Sequence, residues 1–327
     1  MPLDAAVGRA FALTGRDAGT HAVHEAISQL RGPAISLGFV IASHSFNIQD
    51  VMNGVSAQLG NTPLLGFSSS GEIAGDESNT RSVSVALLAG DGFQSQAEWL
   101  PGFSDDGVQT TQNILQTLQL ERQTKPNLIL VADGINGDGQ HLCDALPGGD
   151  YAMAGWLAGG DLRMGRTYQI GGGQAGSGGL SAAMFTGDIR MGVGMAHGWQ
   201  LAGPSFQVTQ ARGPWLRTLD EQPASESYAR MFGHEAREWA FPPLNTLVRL
   251  YPLGLGSENG EDLQLRSPIR VEADGSLRMN TDIPDGGVAH LYVGSQEKCM
   301  TAAAEATRQA LSQLGDARPV LALVLAD

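Results

Sequence analysis

Leu65-Gly66-Phe67-Ser68-Ser69-Ser70-Gly71-Glu72-Ile73 and Ala154-Gly155-Trp156-Leu157-Ala158-Gly159-Gly160-Asp161-Leu162 are two versions of one pattern. In each, a glycine precedes an aromatic residue, and five residues later a glycine precedes an acid and an aliphatic side chain. Upstream, Ala42 of Val40-Ile41-Ala42-Ser43 stands 24 residues before Gly66, and Ala132 of Leu130-Val131-Ala132-Asp133 stands 23 before Gly155. Order and spacing agree over about thirty residues, which points to a repeated supersecondary unit.

Outward from these motifs, strand and helix patterns alternate. Ala5 to Leu13 reads as a strand and Asp17 to Leu30 as a helix, with Val23, Ile27 and Leu30 on one face. Ile35 to Ala42 is a nearly continuous apolar run of strand length, as expected where both faces are covered. A helix from Ile48 to Leu59 closes on Gly60-Asn61. Strands follow at Leu64 to Phe67, Ser82 to Leu88 and Gln94 to Leu100. A helix over Asp105 to Leu118 and a strand over Asn127 to Ala132 restart the pattern, with a short helix near His141 to Leu146. Strands at Leu180 to Phe185 and Ile189 to Met195 complete the second unit.

Between Trp199 and Gly294 the texture changes to short strands at Phe206 to Ala211, Thr246 to Tyr251, Ile269 to Glu272 and Val288 to Val293. Gly-Pro and Asp-Gly turns break them, and a helix from Ala224 to Phe232 interrupts them. A helix from Glu297 to Leu314 offers Ala302, Ala303, Ala306, Ala310 and Leu311 for close packing. Leu321 to Ala326 then echoes Leu128 to Ala132, as though a third copy began. The expected class is therefore α/β to α+β. It comprises repeated α/β units with mixed or antiparallel sheets layered with helices over residues 1–196, and an α+β C-terminal segment over 197–327 that breaks off in a third copy. If the copies pack sheet to sheet, a four-layer stack results.

The formal charge is −14, from 20 basic and 34 acidic side chains, and the only lysines are Lys125 and Lys298. Such a surface disfavours nucleic acid and anionic membranes as partners. No apolar run reaches the roughly 18–20 residues of a membrane-spanning helix, and the N-terminus lacks a signal-peptide pattern. Cytoplasmic placement, with Cys143 and Cys299 as buried thiols, is the expectation.

Recognised catalytic signatures are missing: there is no Walker loop, no H-E-x-x-H, no G-x-S-x-G and no C-x-x-C. Gly171, Gly173 and Gly176 formally satisfy G-x-G-x-x-G, but a strand pattern follows instead of a helix, so a loop between strands is the better reading. Glu72 and Asp161, each beside a glycine, are the acids best placed to accept hydrogen bonds from a ligand amine or hydroxyl, with Ser70, Gly71 and Trp156 in the same motifs. The alternative is that each acid satisfies local backbone donors. His197, closing an apolar strand beside Trp199, suits a ligand pocket or an axial haem position, against the reading of a core or turn histidine. Arg266, in an apolar run, is suited to holding a carboxylate bidentately, or else sits exposed on an edge strand.

Taken in order, these segments resemble the FIST family, with its FIST-N and FIST-C regions. Pro63 to Ile73 and Ser82 to Leu87 carry the N-terminal similarity. His197-Gly198-Trp199, Gly203 to Thr209, Leu219 to Ala224, Tyr251-Pro252-Leu253, Arg266 and Ile283 to Gly286 carry the C-terminal one. The resemblance implies a sensory domain that binds a small metabolite such as an amino acid without turnover. It also implies transmission to a signalling partner such as a histidine kinase or a cyclic-dinucleotide enzyme. One branch of similar proteins binds haem and senses nitric oxide, which would make His197 the metal ligand; otherwise no cofactor is expected. A third reading is an enzyme using Glu72 and Asp161 as acid and base.

Overall fold

The computed structural model describes residues 3–326 apart from 33, 76, 161–164, 234, 240–246 and 257–263. The chain divides into two compact units, Met1–Val193 with Gln309–Asp327, and Gly194–Arg308.

In the first unit the repeat is explicit. One copy runs β1 (Asp4–Ala10), α1 (Gly15–Gln29), β2 (Ile35–Ser43), α2 (Ile48–Leu59), β3 (Leu64–Ser69), the hairpin β4 (Glu72–Ala74) and β5 (Glu77–Asn79), and β6 (Val83–Ala89). The other runs β7 (Phe93–Pro101), α3 (Gly107–Thr117), β8 (Asn127–Asp133), α4 (Gly139–Asp144), β9 (Ala152–Ala158), the hairpin β10 (Gln169–Gly171) and β11 (Gln174–Gly176), and β12 (Gly179–Gly187). The strand orders β1-β6-β2-β3 and β7-β12-β8-β9 match position for position. In each, only the pair flanking the second helix is parallel, β2 with β3 and β8 with β9.

The apolar runs of the sequence follow from this layering. Val40 and Ala42 of β2 pack under α1 and α2 with Val23, Val51 and Val55, whereas Leu37 and Phe39 face the other sheet. Leu128 and Leu130 of β8 pack under α3 with Ile114 and Leu118, whereas Ile129 and Val131 face the first sheet. Each central strand feeds two cores, so no polar alternation is tolerated. Three apolar cores separate four layers in the order helix, sheet, sheet, helix, which is the stacked form of the expectation.

Local signals set the helix ends. Asn47 accepts hydrogen bonds from the main-chain N–H of Gln49 and Asp50, and Asp106 from that of Gln109. Gly60, at φ +57°, ends α2.

The second unit is one eight-stranded antiparallel sheet with short helices. Its strands are β13 (Trp199–Arg212), β14 (Trp215–Leu219), β15 (Gln222–Pro223), β16 (Leu253–Leu255), β17 (Gln264–Arg266), β18 (Pro268–Val271), β19 (Leu277–Met279) and β20 (Val288–Gly294). They lie in the order β17-β16-β20-β13-β14-β19-β18, with β15 beside β14. α5 (Ala224–Phe232) packs Ala224, Tyr228 and Ala229 onto this sheet, and a short α6 (Ala236–Trp239) follows. Burial pushes the Tyr228 phenol far up, and its hydroxyl donates to Tyr251 O at 3.0 Å.

Several expectations are corrected. Ile189 to Met195 is not a strand; β12 ends at Gly187 and the chain from 189 to 198 is irregular. Residues 321–326 are likewise not in a strand, because a β pattern gives a strand only where a partner supplies hydrogen bonds. Val248–Leu250 is a 3₁₀ turn instead of a strand, and Thr246 lies outside the described residues. α7 (Gln296–Leu314) forms where expected but buries none of its residues, and Leu311 is 46% exposed. Both cysteines are exposed, not buried. The glycine-rich stretch after Gln169 forms the β10–β11 hairpin and not a plain loop. A Cβ on Gly171 would stand 2.1 Å from Glu98 O, so glycine lets this hairpin lie against β7.

Candidate functional site

The two glycine–aromatic motifs are separated by 89 positions in the chain, Gly66 to Gly155, yet they meet in space. Phe67 on β3 and Trp156 on β9 pack edge to face with ring centroids 5.1 Å apart. Beyond them, where the parallel strands end, the chains are stitched together. Gly159 N donates to Ser68 O at 2.9 Å, Ser68 Oγ donates to Gly159 O at 2.7 Å, and Ser70 Oγ donates to Gly160 O at 3.2 Å. Tyr168 N donates to Ser68 Oγ at 2.8 Å, which ties in the stretch before β10. This seam at the carboxyl ends of two parallel pairs is where open α/β sheets present ligand sites, since strand ends and helix starts leave backbone groups facing outward.

His44, the first residue after β2, joins the seam. Its Nδ1 lies 3.1 Å from Ser69 O, and a carbonyl can only accept, so Nδ1 carries the proton and Nε2 is left as an acceptor. Ser70 and Gly71 are exposed, whereas Trp156 is half-buried, and its Nε1 has no hydrogen-bond partner among the described residues.

Glu72 lies beneath this surface. It is 2% exposed. One carboxylate oxygen accepts from Ser82 N at 2.9 Å and Ser82 Oγ at 2.8 Å, and the other accepts from Ser69 Oγ. All of these donors belong to the fold, so Glu72 clamps the end of β3 to the entrance of β6. Asp161, its counterpart by sequence, lies outside the described residues. Among the described residues of the second copy, Asp133 at the end of β8 is a buried acid. It accepts from the main-chain N–H of Ile135 at 2.8 Å, Asn136 at 2.9 Å and Gly178 at 2.8 Å.

Sequence reasoning missed Asp133 and His44 as site-building residues. Asp133 was visible as a lone acid ending an apolar strand, a position that demands several donors. His44 was visible only as the residue following a buried strand.

The remaining candidates lie in the second unit. His197 does not close a strand; it is exposed on the irregular stretch, two residues from Met195, which is 86% exposed. An axial haem ligand needs an enclosed apolar setting, and these surroundings do not fit one. Trp199 opens β13 opposite Gly294. Arg266, on the edge strand β17, is buried and not on an exposed face. Its Nε donates to Asp282 O at 2.8 Å and one Nη to Gln264 Oε1 at 2.9 Å.

A separate cleft of about 380 Å³ opens at the far end of β2, between Ser36, Gln94, Gln96, Gln123 and Thr186. It includes none of the seam residues. Cys143 on α4 is a poor nucleophile, because partial burial first, then Asp144 and Asp138, push its thiol up. No helix among the described residues is long and apolar enough to cross a membrane.

Comparison with known proteins gives two family matches. The FIST N domain family model matches residues 36–222, and the FIST C domain family model matches residues 224–326. No curated protein matches the chain.

Proposed function

The chain belongs to the FIST family, whose domains are sensory signalling domains, and on that premise we propose that it binds a small metabolite at the seam between its two repeats without turning it over. The observation that carries this reading is the meeting of the two motifs. Two parallel-strand ends converge, glycines 159 and 160 keep side-chain bulk away, Ser70 Oγ and His44 Nε2 offer acceptors, and the buried Trp156 indole N–H, unpaired among the described residues, offers a donor. A ligand carrying both an ammonium and a carboxylate, such as an amino acid, complements that set. Binding without chemistry fits the engagement of Glu72, whose acceptors are taken by Ser69 and Ser82. Occupancy would then reach a signalling partner such as a histidine kinase or a cyclic-dinucleotide enzyme.

The test is a thermal-shift screen of amino acids and small metabolites. Ligand at about 100 times its Kd adds about 2.7 kcal/mol, a rise of several degrees in Tm. Ser70→Trp, at an exposed position, should abolish the shift while leaving the unliganded Tm nearly unchanged. Silence across the screen, or a hit indifferent to Ser70→Trp, rejects the seam as the site. Haem titration separates the other reading: a Soret shift that disappears in His197→Ala would replace the metabolite with haem.

A further inference from the structure

The cleft of about 380 Å³ at the far end of β2 from the seam has a lining that the metabolite reading does not use. Its polar walls are Ser36 of β2, Gln94, Ser95 and Gln96 of β7, Thr186 of β12, and Gln123, which follows the 3₁₀ turn Leu120–Arg122. The nine residues of β2 separate it from the seam by about 26 Å. Both places can therefore be filled at once.

The strand pattern explains why these side chains converge. β7 is an edge strand of its sheet. Register sets Gln94 opposite Thr186 and Gln96 opposite Met184, so all four share the face toward α3, where Met184 packs with Ile114 and Leu118. Phe93 and Ser95 turn to the opposite face, and Ser95 Oγ donates to Ser36 O. The cleft thus wraps around the edge of β7. Among the described residues, the carboxamides of Gln94, Gln96 and Gln123 and the hydroxyl of Thr186 make no hydrogen bond. Ser36 Oγ donates to Gly90 O at 2.9 Å, so the Ser36 and Ser95 hydroxyls have committed their protons within the fold and present lone pairs.

The chemistry of this lining is uniform. In a chain with 34 acidic and 20 basic side chains, the cleft is lined by none of them. Arg122 and Asp188, charges next along the chain from Gln123 and Thr186, are exposed and line none of it. An ionic ligand would give up hydration here with no countercharge in return. A flat base or indole would need an aromatic face, and Phe93, the aromatic residue of the lining, is only 6% exposed. Three free carboxamides each offer a donor and an acceptor side by side, which is what a hydroxyl, itself donor and acceptor, complements. The volume lies near the lower end of small-molecule sites, enough for one ring. We infer that this cleft is a second binding site of the first unit, for a neutral polyhydroxylated ligand of monosaccharide or cyclitol size. It shares no residue with the seam, so its failure leaves the metabolite reading standing, and the reverse.

The experiment titrates the isotope-labelled full chain with glucose, galactose and myo-inositol, and with glucuronate and glucosamine as charged counterparts, while following proton–nitrogen correlation spectra. A neutral probe should shift the side-chain N–H₂ signals of Gln94, Gln96 and Gln123 saturably. Gln96→Ala, at an exposed position, and Thr186→Val, which keeps shape without the hydroxyl, should each weaken binding about threefold to tenfold, the loss of one hydrogen bond. An unchanged melting curve certifies folding of both variants. Absence of a saturable shift with every neutral probe overturns the inference. So does tighter binding of glucuronate or glucosamine than of the neutral sugars, indifference to both substitutions, or shifts confined to the seam.

Discussion

In the first copy of the repeat, the entrance to the last strand is held by Glu72, which reaches from the turn after β3 to Ser82. In the second copy, the same entrance is held from two other places. Asp133, at the end of β8, takes Gly178 N, and Gln169 on β10 takes Gly179 N at 3.1 Å. Where β8 ends in Asp133, β2 ends in Ser43, whose hydroxyl donates to Thr80 O at 3.0 Å. The strand order is common to both copies, while Glu72 after β3 holds the entrance in one and Asp133 at the end of β8 helps hold it in the other. A fold of this kind needs its strand entrances satisfied, and any nearby acceptor suffices. The hairpins diverge as well. β4–β5 pairs only with itself, whereas β10 pairs with β3 and extends the first sheet to six strands.

The largest test of this asymmetry lies at the matched glycines. A Cβ on Gly66 would stand 2.2 Å from Val40 O of the neighbouring β2 and 3.0 Å from Ile170 Cδ1 of β10. On Gly155 it would come no closer than 3.4 Å to Leu130 O and 3.6 Å to Leu130 Cβ, both on β8. Gly66→Ala should cost about 3 kcal/mol or more and Gly155→Ala less than about 1, read from urea unfolding midpoints. Equal costs would mean that β3 lies no closer to β2 at Gly66 than β9 lies to β8 at Gly155.

Next in size are the two buried acids. Asp133→Ala strands three main-chain N–H groups and should lose about 3 kcal/mol; Glu72→Ala strands one N–H and two hydroxyls, which can turn elsewhere, and should lose about 2. Amide hydrogen exchange should rise at Gly178 in the first variant and at Ser82 in the second. Exchange unchanged at both amides would break the assignment of the clamps.

The aromatic pair separates the copies by burial. Phe67 is buried on a central strand and Trp156 is half-buried on an edge strand. Phe67→Ala should therefore cost about 3–4 kcal/mol, and Trp156→Ala visibly less by the same denaturation assay.

The smallest effect should be a gain. Ser84 and Ser181 occupy matched positions on β6 and β12, both buried, and neither hydroxyl has a partner among the described residues. Replacing either with alanine should stabilise by up to about 1 kcal/mol, since an unpaired hydroxyl is unfavourable in an apolar layer. A loss at one site and a gain at the other would show that the copies use the position differently.

Much of the first unit was legible in the sequence. The run from Ile35 to Ala42 is apolar because both of its faces are covered, and the helix from Ile48 to Leu59 carries its own cap and stop. Glu72 stood out in the sequence through its motif, and the alternative that it satisfies local backbone donors was near the mark, though its donors are the Ser69 hydroxyl and the Ser82 hydroxyl and main-chain N–H. The two stretches at 189–195 and 321–326 were misread, because an apolar β pattern states a preference for pairing and not the presence of a partner. The setting expected for His197 fails for the same reason, because the strand it was to close does not form.

By itself the sequence determined that a unit is repeated, which residues build each copy and where most of its strands and helices begin and end, because periodicity, caps and glycines act within a few residues. Only the tertiary structure decided that the copies stack sheet against sheet, that Phe67 meets Trp156, and that Asp133 does in one copy what Glu72 does in the other. Those facts depend on which distant donors come within about 3 Å of a carboxylate, and that is set by chain packing.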